Sequence, residues 1–152
     1  MNLDYENSFE IQGGNYQEAG DISVYIKKKL QNLGVAREIL RRVAIAVYES
    51  EINIISYASK GIIHIRISPE SVVIDAADEG PGIENIELAM REGYSTATDK
   101  IREMGFGAGM GIPNIMNCSD KFTITSEVNK GTHLTIIINI SNNDAEKTGE
   151  LP

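Results

Sequence analysis

Apolar residues recur along this chain with two periods, and the change from one to the other separates helices from strands. A short run, Phe9-Glu10-Ile11, reads as an edge strand that Gly13-Gly14-Asn15 breaks. From Tyr16 to Leu33 the apolar positions Ile22, Ile26, Leu30 and Leu33 fall at helical spacing, and Asn32-Leu33-Gly34 closes the helix. A longer helix is predicted from about Ala36 to Ala58, with Ile39, Val43, Ala46, Val47, Ser50, Ile54 and Tyr57 as its buried stripe. Lys60-Gly61 is its expected stop, a glycine near the C′ position with a cation in the last turn. The period then drops to two. In Ile62 to Ser68 the residues Ile63, Ile65 and Ile67 share one face, and His64, Arg66 and Ser68 share the other. Pro69-Glu70 is a turn, and Val72 to Ala77 is a continuous apolar strand expected to be covered on both faces.

Short helices are expected at about Glu84 to Arg91 and Ile112 to Asn117, with a glycine-punctuated stretch between them. Two strands close the pattern, Lys121–Val128 and Thr132–Ile140, joined by a tight turn at Asn129-Lys130-Gly131. Helices ahead of a mixed, mostly antiparallel sheet predict an α+β fold, a two-layer α/β sandwich with its helices on one face. Residues 1–7 read as a flexible N-terminus, 8–140 as one domain, and 141–152 as a disordered acidic tail.

Composition narrows the function classes. A chain of 152 residues buries about 68–70% of its unfolded surface, enough for one core. The 22 acidic against 14 basic residues give a net charge of −8, which argues against gripping a nucleic-acid backbone through bulk charge. The longest apolar stretch, Val43 to Tyr48, falls far short of the roughly 20 residues a membrane span needs. No secretory signal is visible at the N-terminus, and the single cysteine, Cys118, fits a reducing, cytoplasmic compartment. Cys118 itself reads as a helix-packing residue. The basic trio Lys27-Lys28-Lys29 reads as a solvated helix face, and His64 and His133, both inside strands, as structural.

Three features carry candidate chemistry. Glu49 and Asn53 are one helical step apart, since four residues rise about 6 Å and turn about 400°. An Asn oxygen there can hold a hard cation, and a Glu beside it can take a proton from a hydroxyl or a water. The same pair fits a solvated helix boundary. Asp78-Glu79-Gly80-Pro81-Gly82-Ile83, directly after an apolar strand, makes a rigid turn whose missing side chains let a flat ring approach the backbone. An ordinary Asp-initiated turn uses the same residues. Gly105-Phe106-Gly107-Ala108-Gly109-Met110-Gly111 leads into a helix, an arrangement of backbone N–H groups suited to polyphosphate. It lacks the Gly-Lys-Ser/Thr of a P-loop and is equally a plain glycine loop.

Taken in order, Glu-x-x-x-Asn on a helix, Asp-x-Gly-Pro-Gly-Ile after a strand, Gly-x-Gly-x-Gly before a helix and Gly131-Thr132 opening the last strand resemble the GHKL, or Bergerat-fold, ATP-binding superfamily over roughly residues 8–140. The resemblance implies ATP and Mg²⁺ as ligands. It assigns Asn53 to Mg²⁺, Asp78 to the adenine amino group, and Gly80, Gly82 and Ile83 to the flanks of the base. Gly105, Gly107, Gly109, Met110 and Gly111 close over the phosphates, Thr132 supports the adenine end, and about Glu92 to Met104 form the ATP lid. Lys100 or Arg102 in that lid is a candidate cation for the γ-phosphate.

Glu49 through Ala58, Gly93-Tyr94-Ser95-Thr96 and Ser126 through Thr132 further resemble the anti-sigma factor and switch-kinase group of bacterial serine/threonine protein kinases. That resemblance implies Glu49 as the catalytic base for a serine hydroxyl, a STAS-domain anti-anti-sigma protein as substrate, and a sigma factor or other regulator as a further partner. No nucleic-acid or membrane partner is expected, and a homodimer is left open. Ala97 to Met104 makes the lid longer than the pattern of the shortest switch kinases. Two alternatives stand beside the kinase: a non-catalytic, nucleotide-gated binding module and a slow ATPase.

Overall fold

A computed structural model describes residues 4–91 and 111–140. Five strands make one sheet: β1 (Tyr5–Gln12), β2 (Lys60–Ile67), β3 (Ser71–Glu79), β4 (Lys121–Glu127) and β5 (Gly131–Asn139). Their order is β1-β2-β3-β5-β4, and every neighbouring pair is antiparallel, which sharpens the expectation of a mixed, mostly antiparallel sheet. Among the described residues four α-helices accompany it: α1 (Asp21–Asn32), α2 (Arg37–Tyr57), α3 (Ile86–Ala89) and α4 (Gly111–Cys118). The result is the two-layer α+β sandwich that the periodicity predicts.

One face of the sheet makes the core. Ile63, Ile65 and Ile67 of β2, Val72 and Ile74 of β3, and Ile136 and Ile138 of β5 lie in register on it, all buried beneath α2. Each such side chain taken from water is worth about 1.5–3 kcal/mol, so this face holds the layers together. From α2 the core takes Ile39, Val43, Ala46, Val47, Ser50 and Ile54, as the stripe predicts, while Tyr57 at its end is only half-buried. On one flank α1 covers the β1 edge, where Tyr25 meets Phe9 edge to face and the Lys29 ammonium sits 4.6 Å from the Tyr5 ring centre. On the other flank Arg42 of α2 donates to the Cys118 carbonyl and to Asp120, tying down the end of α4. Cys118 is buried there, in keeping with a packing role.

The structure corrects several boundaries. The run from Tyr16 to Leu33 is not one helix. A 3₁₀ turn, Tyr16–Glu18, is separated from α1 by Gly20, whose φ of 95° no continuing helix accommodates. Residues 5–7 are strand rather than flexible end: Tyr5 packs under Lys29, and the Glu6 carboxylate lies 2.7 Å from His64 Nε2. Gly61 does not stop α2. It lies inside β2, where an added Cβ would stand 2.9 Å from both the Ala77 carbonyl oxygen and an Ile54 methyl. Helix α3 is shorter than the predicted span from Glu84 to Arg91.

Nor is β3 covered on both faces. Val72, Ile74 and Ala76 are buried, but Val73 and Asp75 are half-buried and Ala77 is exposed. The face that carries them is dressed with polar pairs: His64 meets Ser8 at 2.6 Å, and Asp75 takes His133 at 3.0 Å and the Thr135 hydroxyl at 2.8 Å. Those bonds satisfy the polar groups without a covering layer.

Candidate functional site

The site is built where the ends of α2, β3, β5 and α4 come together. Glu49 and Asn53 lie on the side of α2 that meets the first turn of α4. A Cβ placed on Gly111 would stand 3.0 Å from Asn53 Oδ1 and 3.6 Å from Glu49 Oε1, so a side chain there would push the Asn53 amide back by a few tenths of an ångström. Asn114, one turn on, donates from Nδ2 to Glu49 Oε2 at 3.1 Å. Burial pushes the Glu49 carboxyl above the usual carboxylate range, and the Asn114 amide partly opposes that push. Among the described residues, Oε1 of Glu49 has no hydrogen-bond partner.

The second corner is the turn after β3. Asp78 is half-buried, and its Oδ1 accepts the Thr132 backbone N–H at 3.1 Å. Burial raises its carboxyl too, with the Thr132 bond acting against it. Ser126 pins the surroundings. Its hydroxyl accepts the Ile83 N–H at 2.7 Å, donates to the Gly131 carbonyl at 3.0 Å and meets the Thr132 hydroxyl at 2.9 Å. Asn129, in the turn between β4 and β5, donates its N–H to the Pro81 carbonyl at 2.7 Å. The Gly-Pro-Gly turn and the β4–β5 hairpin are therefore one hydrogen-bonded unit.

The structure gives Gly82 a packing reason. At a φ of 76°, a side chain would be strained, and its Cβ would collide with the Glu127 carbonyl oxygen. Gly80 is close-packed without strain or collision, an added Cβ standing 3.1 Å from the Ala58 Cα and 3.2 Å from the Tyr57 carbonyl oxygen. Of the residues expected to act together, the structure brings Glu49, Asn53 and Gly111 into one group and Asp78, Gly82, Ile83 and Thr132 into another. Gly105, Gly107, Gly109 and Met110, the lid from Glu92 to Met104 with Lys100 and Arg102, and the tail after Ile140 lie outside the described residues.

Two polar residues of this region were not legible beforehand. Asn114 stands one turn past the glycine string, and only its place on a helix beginning at Gly111 shows that it reaches Glu49. Glu51, two residues from Glu49, is 1% exposed. It accepts the backbone N–H groups of Gly20, Ile22 and Ser23 at 3.0–3.2 Å, and so caps the N-terminus of α1 from the neighbouring helix. Its carboxyl is raised by burial and lowered by those three N–H bonds, the burial prevailing. A charged residue facing the core of an amphipathic stripe was the available signal.

The donor set suits a nucleotide bound with a hard cation. Asn53 offers a carbonyl-type oxygen at the glycine-led start of α4, and Asp78 offers a half-buried carboxylate oxygen with no partner among the described residues. No helix among the described residues is long and apolar enough to cross a membrane.

Comparison with known proteins identifies the family of the fold. The family described as Histidine kinase-like ATPase domain matches residues 17–138. Serine/threonine-protein kinase RsbT of Bacillus subtilis (strain 168) is 32% identical over 111 residues, spanning 70% of this chain and 77% of that protein. The anti-sigma F factor of Clostridium kluyveri (strain NBRC 12016) is 31% identical over 136 residues, spanning 86% and 92% respectively. That of Thermoanaerobacter sp. (strain X514) is 38% identical over 92 residues, spanning 57% and 61%.

Proposed function

The chain belongs to the histidine kinase-like ATPase domain family, and from that premise we propose that it is an ATP-Mg²⁺-dependent serine/threonine protein kinase of the anti-sigma type. The observation that carries the reading is the meeting of Glu49, Asn53 and Gly111 where α4 begins against α2. The kinship to a serine/threonine protein kinase and to anti-sigma F factors supports it.

When bound, ATP supplies the phosphoryl group and Mg²⁺ neutralises its charge. Asn53 Oδ1 would hold the cation on the protein side. Asp78, steadied by the Thr132 N–H and by Ser126 behind it, accepts a hydrogen bond from the adenine amino group, with Gly80, Gly82 and Ile83 beside the base. The family resemblance would have Gly105, Gly107, Gly109, Met110 and Gly111 hold the phosphates through their backbone N–H groups. Glu49 takes the proton of the acceptor hydroxyl. A serine hydroxyl is a weak nucleophile that needs such a base, and a carboxyl raised by burial is a better proton acceptor than an exposed one. The acceptor is a serine or threonine on a STAS-domain anti-anti-sigma protein, a sigma factor or other regulator is the second partner, and the site of action is the cytoplasm. Residues 8–140 act as the single ATP-binding unit.

The test is transfer of labelled γ-phosphate from ATP-Mg²⁺ to purified STAS-domain proteins of the same genome, with Glu49→Gln alongside. The expected result is phosphoserine or phosphothreonine on one of them, lost in the variant while ATP affinity stays within a few-fold. Transfer near the wild-type rate in Glu49→Gln overturns the base assignment. Nucleotide binding without labelling of any STAS protein overturns the kinase in favour of a nucleotide-gated binding module.

A further inference from the structure

We propose that Asn114 is a positioning residue for phosphoryl transfer: its amide holds one oxygen of the Glu49 carboxylate and leaves the other to meet the acceptor hydroxyl. The inference rests on the reading of Glu49 as base and adds a residue that the motifs of the sequence do not contain.

A glutamate has three side-chain torsions, and fixing such a side chain costs up to about 1.5–2 kcal/mol of rotamer freedom. A base left to wander loses most of its advantage, because displacement by about 1 Å costs on the order of a hundredfold in rate. Here the restraint comes from across the site. Asn114 Nδ2 lies 3.1 Å from Glu49 Oε2. Its backbone is clamped between Pro113 and Ile115, both buried, and the Pro113 ring fixes φ one residue earlier. The amide is thus presented by a rigid turn rather than by a loop.

The bond also makes the two carboxylate oxygens different. Oε2 is taken by Asn114, whereas Oε1 lies on the Gly111 side, where the Asn53 oxygen is also found. A carboxylate accepts and cannot donate when ionised, so the Asn114 NH₂ rather than its carbonyl must face it. Asp at this position would place like charges together, and Leu would offer no donor at similar size.

Asn114→Asp and Asn114→Leu are therefore compared with wild type for transfer to purified STAS-domain proteins and for ADP binding by calorimetry. The expected result is a kcat about 10- to 100-fold lower in both, with KM for ATP and Kd for ADP within about twofold. A kcat within about twofold of wild type in both variants overturns the proposal. So does a loss of ADP affinity as large as the loss of kcat, which marks a role in seating α4. The contact is also read without any acceptor, from urea midpoints of Asn114→Leu, Glu49→Ala and the double variant. Shifts that fail to add support it, and additive shifts overturn it whatever the transfer assay gives. A wild type that labels no STAS protein while the shifts remain non-additive overturns the kinase reading and the catalytic part of this proposal with it. Additive shifts beside an active wild type overturn the Asn114 proposal alone.

Discussion

Replacing Glu51 by glutamine changes one atom and should loosen the hold of α2 on α1. The carboxylate serves three backbone donors: Oε2 accepts from Gly20 and Ile22, and Oε1 accepts from Ser23. Glutamine has a single acceptor oxygen. Turned to keep the Gly20 and Ile22 bonds, it points its NH₂ at the Ser23 N–H, so two buried donors face each other. At about 1–3 kcal/mol for each buried group left unsatisfied, the gross loss is about 2–6 kcal/mol. Removing the negative charge from a helix N-terminus adds up to about 2 kcal/mol. Against this, the charge no longer has to be kept out of water, and burial already strains that charge, as the raised carboxyl shows. A net loss of about 2 kcal/mol is expected.

Urea unfolding reads it directly. With a slope of about 1–3 kcal/mol per molar, the midpoint should fall by about 1 M with the slope unchanged. Amide exchange should accelerate first at Gly20, Ile22 and Ser23. A midpoint within about 0.2 M of wild type would refute the expected net loss and the three-bond cap it is built on.

Asp78→Asn should weaken ATP and ADP alike by about 10- to 100-fold, the loss of one charge-assisted bond to the base; calorimetry showing no loss for either removes Asp78 from the pocket. Glu49→Gln should stabilise the fold at neutral pH, because the native carboxyl binds its proton more tightly than the unfolded one. Wild-type stability then falls as pH rises from the unfolded to the folded pKa. The advantage of the variant in Tm should be absent below the ordinary carboxylate pKa, grow through that window and stay level above it; an advantage that shrinks with rising pH contradicts the direction. Gly82→Ala should cost at least about 1–2 kcal/mol from its left-handed backbone alone, lowering Tm by more than about 2–4 °C in thermal scans, with the collision against Glu127 adding to it.

The architecture was legible because burial on one side of each element leaves a period in the sequence. Ile63, Ile65 and Ile67 announced their face, and the α2 stripe announced another. What period cannot carry was missed. Gly61 reads as a helix stop by its chemistry, but its small size serves contact with Ala77 and Ile54, partners set by the sheet register. Val72 to Ala77 reads as doubly covered because alanine and valine leave the outer face ambiguous, and the Asp75 pairs that keep it open join residues distant in sequence. At the site, Glu49, Asn53, Asp78 and Thr132 stood out by their motifs. Asn114, Glu51 and the bracing role of Ser126 depend on which side chain meets which across separate elements, and a single sequence does not state that.

Cys118 gives the molecule an internal clock. It is the chain's only cysteine, it is buried at the end of α4, and its backbone carbonyl oxygen accepts a hydrogen bond from Arg42. Burial raises its thiol, so a thiol reagent at neutral pH finds little thiolate and little access until α4 lifts from α2. The labelling rate of the unmodified protein therefore counts those openings, with no engineered tag. If nucleotide bridges Asn53 and the start of α4 as proposed, it should slow that count as its occupancy rises, and the one cysteine then reads nucleotide affinity under native conditions.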